Sequence, residues 1–191
     1  MADFPTLKPA FTMQVKIDPP VNVGSTAKNC NFVVSPMTGG TVKSEPGFSP
    51  AFNGELASNG NDYIRTDPDG KRLRLDAHTV VKTETGASVY INYTGVVDLT
   101  PDLNAILTGK SESVTTPFGN ICMAAHPPTP ERHASLTSSS FQDTTLKFES
   151  GDANHAALEN GIFVATGHFI YEKGKQPIVE YNVSQVCHPG L

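Results

Sequence analysis

The chain has no tryptophan and only three cysteines, and just 17% of its 191 residues are charged. Each shortage excludes something. Lys and Arg number 14 against 19 Asp and Glu, for a net charge of −5, and no basic run occurs. That balance speaks against a nucleic-acid surface or an anionic membrane, either of which needs a cationic stripe. Cys30, Cys122 and Cys187 are odd in number and unevenly spaced, whereas secreted disulfide frameworks are usually built from even sets. The expected compartment is therefore reducing and cytoplasmic. No apolar run reaches the roughly 20 residues that cross a bilayer. The first 20 residues also lack a charged leader followed by an apolar stretch.

What the chain has in quantity is turn chemistry, with 16 glycines and 15 prolines, and between the turns it alternates. In residues 10–18, Phe11, Met13, Val15 and Ile17 face one way and Thr12, Gln14 and Lys16 the other. That is a half-buried strand, and Pro19-Pro20 ends it. Residues 31–37 and 40–45 read as two short strands among glycines, and 47–62 as a turn-rich ordered loop. Thr100 before Pro101 predicts a short helix, and a second is expected to end near Gly161. Residues 162–171 are apolar on both faces and need a second covering layer, which a partner subunit of a homo-oligomer could supply. Residues 177–186 form the last strand.

The clearest element is the hairpin 72–99. Glu84-Thr85-Gly86 fits a three-residue loop, a type I turn closed by glycine in the left-handed region. Counting back from Thr83 opposite Ala87 puts Val80 opposite Tyr90, His78 opposite Asn92 and Asp76 opposite Thr94. Asp76, His78, Tyr90, Asn92 and Thr94 therefore share one polar face. Leu75, Ala77, Thr79 and Val81 share the other with Val89, Ile91 and Tyr93. A slip of one residue would mix polar and apolar on both faces. About eight strands and almost no helix imply an all-β fold. We expect a single antiparallel closed β-barrel domain over 1–191, with one or two short helices and a long inserted loop over 119–145.

The residues then resemble a known family. The run from Gly60 to Gly95, "GNDYIRTDPDGKRLRLDAHTVVKTETGASVYINYTG", is similar to the signature block of the family catalogued as domain of unknown function 3237. In it a Gly-x-Asp-aromatic element precedes a Pro-Asp-Gly turn and a Leu-Asp-Ala strand. Residues 39–56 resemble an upstream Gly-rich block, and "FESGD…ALENGIFVATG" with "VEYNVSQV" resemble the closing blocks, so the likeness spans most of 11–186. The chain looks like a fungal member. The resemblance implies an antiparallel barrel of the allene oxide cyclase type and, because the family is named for lacking one, no particular activity. Residues 119–145 depart from the family pattern.

Candidate chemistry centres on the polar hairpin face. Asp76 and His78 lie two residues apart on one strand and point the same way, roughly 6–7 Å from each other. If that face lines the interior, they form an acid–base pair, with Asp62, Tyr63, Tyr90 and Asn92 orienting a ligand. If instead the Leu/Val/Ile face fills the barrel, they meet solvent. Tyr171 and Tyr181 could also donate hydrogen bonds to a carbonyl or enolate, although strand tyrosines often simply pack. Asp62 could equally hold an Asx turn. His168 reads as a core or interface histidine. Cys122, His126 and His133 invite a zinc reading, but the stretch is broken by prolines and lacks a fourth ligand. No Gly-x-Ser-x-Gly elbow, dinucleotide fingerprint or His-Glu-x-x-His occurs. No metal and no cofactor are expected. The expectation is a cofactor-independent isomerase or cyclase for a small hydrophobic carbonyl-bearing metabolite, in fungal secondary metabolism, with 119–145 as a lid. A non-catalytic carrier barrel and a structural homo-oligomer are the alternatives.

Overall fold

A computed structural model describes residues 4–119, 121–122 and 146–188. Most of the expected insertion therefore lies outside the described residues, and so do His126 and His133. The strands are β1 (Thr6–Ile17), β2 (Val21–Asn22), β3 (Phe32–Ser44), β4 (Gly54–Leu56), β5 (Gly60–Thr66), β6 (Arg72–Thr83) and β7 (Ser88–Asp98). After helix α1 (Pro101–Leu107) come β8 (Val114–Thr115), β9 (Ile121–Cys122) and β10 (Leu146–Ser150). Helix α2 (Ala156–Glu159) then leads into β11 (Phe163–Tyr171) and β12 (Ile178–Cys187).

The fold is all-β and antiparallel, as the alternation predicts. Its strands make one sheet that curls into a barrel-like shape. Starting from β6, pairings run through β7, β9, β11, β12, β1, β3 and β5 and return to β6. The two-residue β9 bridges β7 and β11. The hairpin register is the expected one. His78 pairs with Asn92 and Asp76 with Thr94, and Gly86 sits at φ +85° in the turn. Thr100 caps α1 through its side chain.

Two readings differ from the structure. Residues 31–37 and 40–45 are not separate strands but one bent strand, β3. Gly40 (φ +149°) permits the bend, because a Cβ there would lie 1.9 Å from the Gln14 carbonyl oxygen of β1. The Gly-x-Asp-aromatic element lies in strand β5, not in a loop, and its polar composition hides a segment paired on both sides.

The interior has two parts. At one end Phe11, Phe52, Phe148 and Phe163 pack edge-on or tilted, with ring centroids 5.1–6.1 Å apart. They form an aromatic plug. Toward the other end the interior is not filled. The two-sided apolar strand 162–171 receives part of its outer cover from the chain itself. Phe118 stacks on His168 at 3.8 Å, and Thr116 hydrogen-bonds the backbone of Phe169.

Candidate functional site

The unfilled part of the interior is a cavity of about 250 Å³. Its walls are the apolar faces of the strands: Val15 and Ile17 from β1, Val33 and Met37 from β3, Leu73 and Leu75 from β6, and Val97 from β7. Ile121, Phe169 and Val179 close it from the other side. The apolar hairpin face is thus the inner one, because the sheet curls so as to remove that face from water.

Asp62, Tyr93 and Tyr181 interrupt this apolar wall. Register brings Asp62 and Tyr93 to one level. Ser35 pairs with Asp62, Asp62 with Ala77, and Ala77 with Tyr93. These four side chains form a row across β3, β5, β6 and β7, and the small Ala77 leaves room between the carboxyl and the phenol. The Tyr93 and Tyr181 rings meet edge-on at 5.5 Å. Tyr181 reaches this position because β11 carries Gly167 beneath it. A Cβ at 167 would lie 2.7 Å from Tyr181 Cδ1.

Asp62 is 8% exposed. The β5–β6 ladder pairs Asp62 with Ala77 and resumes only at Arg65 with Arg74. Within the interruption the Asp76 backbone N–H donates to Asp62 Oδ1 at 3.1 Å. Burial pushes the Asp62 carboxyl up to about 7; the Asp76 N–H opposes that rise and the Asp76 charge adds to it. Burial likewise holds both tyrosine hydroxyls well above their ordinary range, and the nearby Asp62 charge reinforces this. The tyrosines therefore stay protonated and can donate, while the carboxyl populates both forms near neutrality. A carboxyl poised near the working pH can take a proton and return it, and fixed hydroxyls can stabilise developing negative charge on oxygen.

The expected acid–base pair lies elsewhere. Asp76 and His78 are on the outer face, with side chains 45% and 39% exposed, and neither lines the cavity. They do form the expected cluster. His78 Nε2 lies 3.0 Å from Asp76 Oδ1, and His78 Nδ1 lies 2.6 Å from the Tyr90 hydroxyl. Asn92 donates to Asp76 at 3.1 Å, and the Tyr63 ring meets the His78 ring edge-on. Strand parity explains this placement: β6 and β7 alternate, and their polar halves all point away from the cavity. Tyr63, Tyr90 and Asn92 follow the same rule. Tyr171 packs partly buried against the core, outside the cavity. Of the candidate residues, only Asp62 and Tyr181 line it. The hairpin register places Tyr93 on the apolar face, where nothing in the sequence assigns it a role. The available signal was a tyrosine amid aliphatic residues on the apolar face, where a hydroxyl needs a reason.

Among the described residues no cluster of His, Cys, Asp and Glu could hold a metal, and no helix is long and apolar enough to cross a membrane.

Several solved structures share this fold. A conserved protein of unknown function from Rhodopseudomonas palustris is 21% identical, with a TM-score of 0.67 over 97% of this chain and 99% of its own. A beta-barrel like protein from Acinetobacter baumannii is 18% identical, with a TM-score of 0.63 over 97% and 98%. An enzyme from Penicillium herquei is 15% identical, with a TM-score of 0.51 over 97% and 96%. At these identities the likeness concerns the fold alone. No curated protein matches the chain. The model of the family described as protein of unknown function (DUF3237) matches residues 5–186, and the chain belongs to that family.

Proposed function

We propose that the barrel is an acid–base catalyst, an isomerase or cyclase, for a small uncharged molecule carrying a carbonyl, and that Asp62 moves the proton. One observation carries this reading: among the described residues one carboxyl, held near neutrality, sits beside two protonated phenols in a largely apolar cavity. In the carboxylate form Asp62 takes a proton from carbon alpha to the carbonyl. The enolate oxygen accepts hydrogen bonds from Tyr93 and Tyr181. Asp62 then returns the proton to another atom, or the enolate oxygen adds to an electron-poor carbon–carbon double bond of the same molecule, whose π bond breaks as the ring closes, and Asp62 gives its proton to the carbon left carrying the electron pair. Among the described residues the cavity lining has no Lys, Arg or His to pair with an anion, so carboxylates and phosphates are poor occupants. This chemistry needs no cofactor. That a structure of the same fold is described as an enzyme from Penicillium herquei agrees with this reading, which rests on the residues of this chain.

The test is proton exchange with solvent. In D₂O, 2-tetralone should exchange its alpha protons faster with the wild type than with buffer, read by proton NMR. Asp62→Asn should lose the acceleration, and Tyr93→Phe and Tyr181→Phe should weaken it. Acceleration that survives Asp62→Asn sinks the assignment. Saturable binding of 2-tetralone without exchange favours the carrier reading, which the largely apolar lining also suits.

A further inference from the structure

The outer Asp76–His78 pair is not idle decoration of the sheet. It is joined to Asp62 through the barrel wall by a single residue. The Asp76 backbone N–H reaches inward to Asp62 Oδ1 at 3.1 Å. The Asp76 carboxylate, on the same residue, points outward and meets His78 Nε2 at 3.0 Å and the Asn92 amide at 3.1 Å. The strand ladder is open here, so no backbone pair intervenes between the two carboxyl groups.

We propose that Asp76 and His78 are positioning residues that set the charge state of Asp62 from outside the barrel. With a neutral His78, Asp76 presents an uncompensated negative charge to Asp62 and favours its protonated form. With a protonated His78, the imidazolium offsets that charge, and the Asp62 carboxylate is favoured. The buried carboxyl thereby senses the charge of the outer surface with no side chain passing between inside and outside. Its significance for turnover rests on the catalytic reading of Asp62; the coupling itself does not.

Other groups define the background. Tyr93 from β7 and Tyr181 from β12 face Asp62, and β3 offers only the uncharged Ser35. Around the outer pair stand Tyr90 of β7, opposite Glu149 of β10, the exposed Lys147 of β10, opposite Asn92, and Tyr63 of β5. Lys28, Arg65 and Arg74 share a groove with Asp76. Arg74 is engaged by Asp67 at 2.8 Å, and the Arg65 guanidinium lies over the Phe32 ring. Among the described residues, His78 is the basic side chain in ion-pair range of Asp76, at 3.0 Å.

The experiment is a carbon-detected NMR titration of the Asp62 carboxyl, assigned with Asp62→Asn. Asp76→Asn keeps the backbone N–H and removes the charge, and His78→Arg supplies a permanent cation beside Asp76. Both should lower the Asp62 midpoint by about half a pH unit or more. Glu84→Gln, in the hairpin turn, should leave it in place. An unmoved midpoint in folded Asp76→Asn or in His78→Arg overturns the proposal, as does an equal shift from Glu84→Gln. His78 lies half-buried on the outer face, so His78→Arg decides the matter even if Asp76→Asn does not fold. A shifted midpoint with proton exchange intact in Asp62→Asn removes the catalytic reading and leaves the coupling standing. An unshifted midpoint with exchange lost does the reverse.

Discussion

The carboxyl of Asp62, inside the barrel, accepts its hydrogen bond from the backbone of Asp76, whose own carboxyl is outside. Two acidic residues on neighbouring strands thus occupy opposite sides of one wall, and only the inner one is desolvated. Burial of the inner carboxyl is what sets Asp62 near neutrality.

Its first consequence is a stability difference that depends on pH. The folded-state value for Asp62, about 7, lies above the ordinary aspartate value of 3.8, so the folded protein binds the proton more tightly than the unfolded chain. The contribution of Asp62 is therefore favourable at low pH and is lost as pH rises through the window between those values. Asp62→Asn is neutral throughout and keeps an oxygen for the Asp76 N–H. Relative to wild type it should be more stable by a few kcal/mol at pH 8 and within about 1 kcal/mol at pH 4. Urea unfolding of both proteins across that range measures the difference, and a constant gap would show that Asp62 is not desolvated.

Gly167 should tolerate no side chain. A Cβ there would sit 2.7 Å from Tyr181 Cδ1, 2.9 Å from its Cε1 and 3.1 Å from the Glu180 carbonyl oxygen. Gly167→Ala should displace the Tyr181 ring and cost about 1–3 kcal/mol. Thermal unfolding reads the cost, and weakened binding of 2-tetralone reads the displaced phenol.

Filling the cavity should separate stability from binding. Val97 is buried and lines the void. Val97→Phe places apolar volume where no protein atoms now pack, so the midpoint of unfolding should hold or rise. Binding of 2-tetralone, followed by calorimetry, should be lost. Retained binding would place the ligand elsewhere.

His168 should hold the outer strap. One of its ring nitrogens lies 2.9 Å from the Thr116 carbonyl oxygen, and Phe118 stacks on its face. The same strap leads to Ile121, which lines the cavity and pairs with both β7 and β11. His168→Ala should cost about 2–3 kcal/mol and raise amide exchange over 114–122 selectively. Exchange that rises uniformly instead would show that the strap is held by other contacts.

Most of the strand architecture was legible because each strand carries its own period-two signal and each turn its own residues. Glu84-Thr85-Gly86 alone sets which side chains of β6 and β7 are neighbours, and the observed pairs follow it. The strands β4 and β5 were hidden, since their glycines, asparagines and aspartate resemble a loop until pairing on both sides satisfies them.

By itself the sequence determined the all-β class, the hairpin register and the membership of two opposed faces, because these depend on contacts local in the chain. It left undecided which face is inside. Curvature of the whole sheet decided that, by withdrawing the larger apolar area from water and leaving Asp76 and His78 outside. Only tertiary pairing could bring Asp62 of β5 to the level of Tyr93 of β7 and the Tyr181 ring of β12. Those three residues are far apart in sequence, and no local pattern encodes the desolvation that sets the Asp62 carboxyl near neutrality.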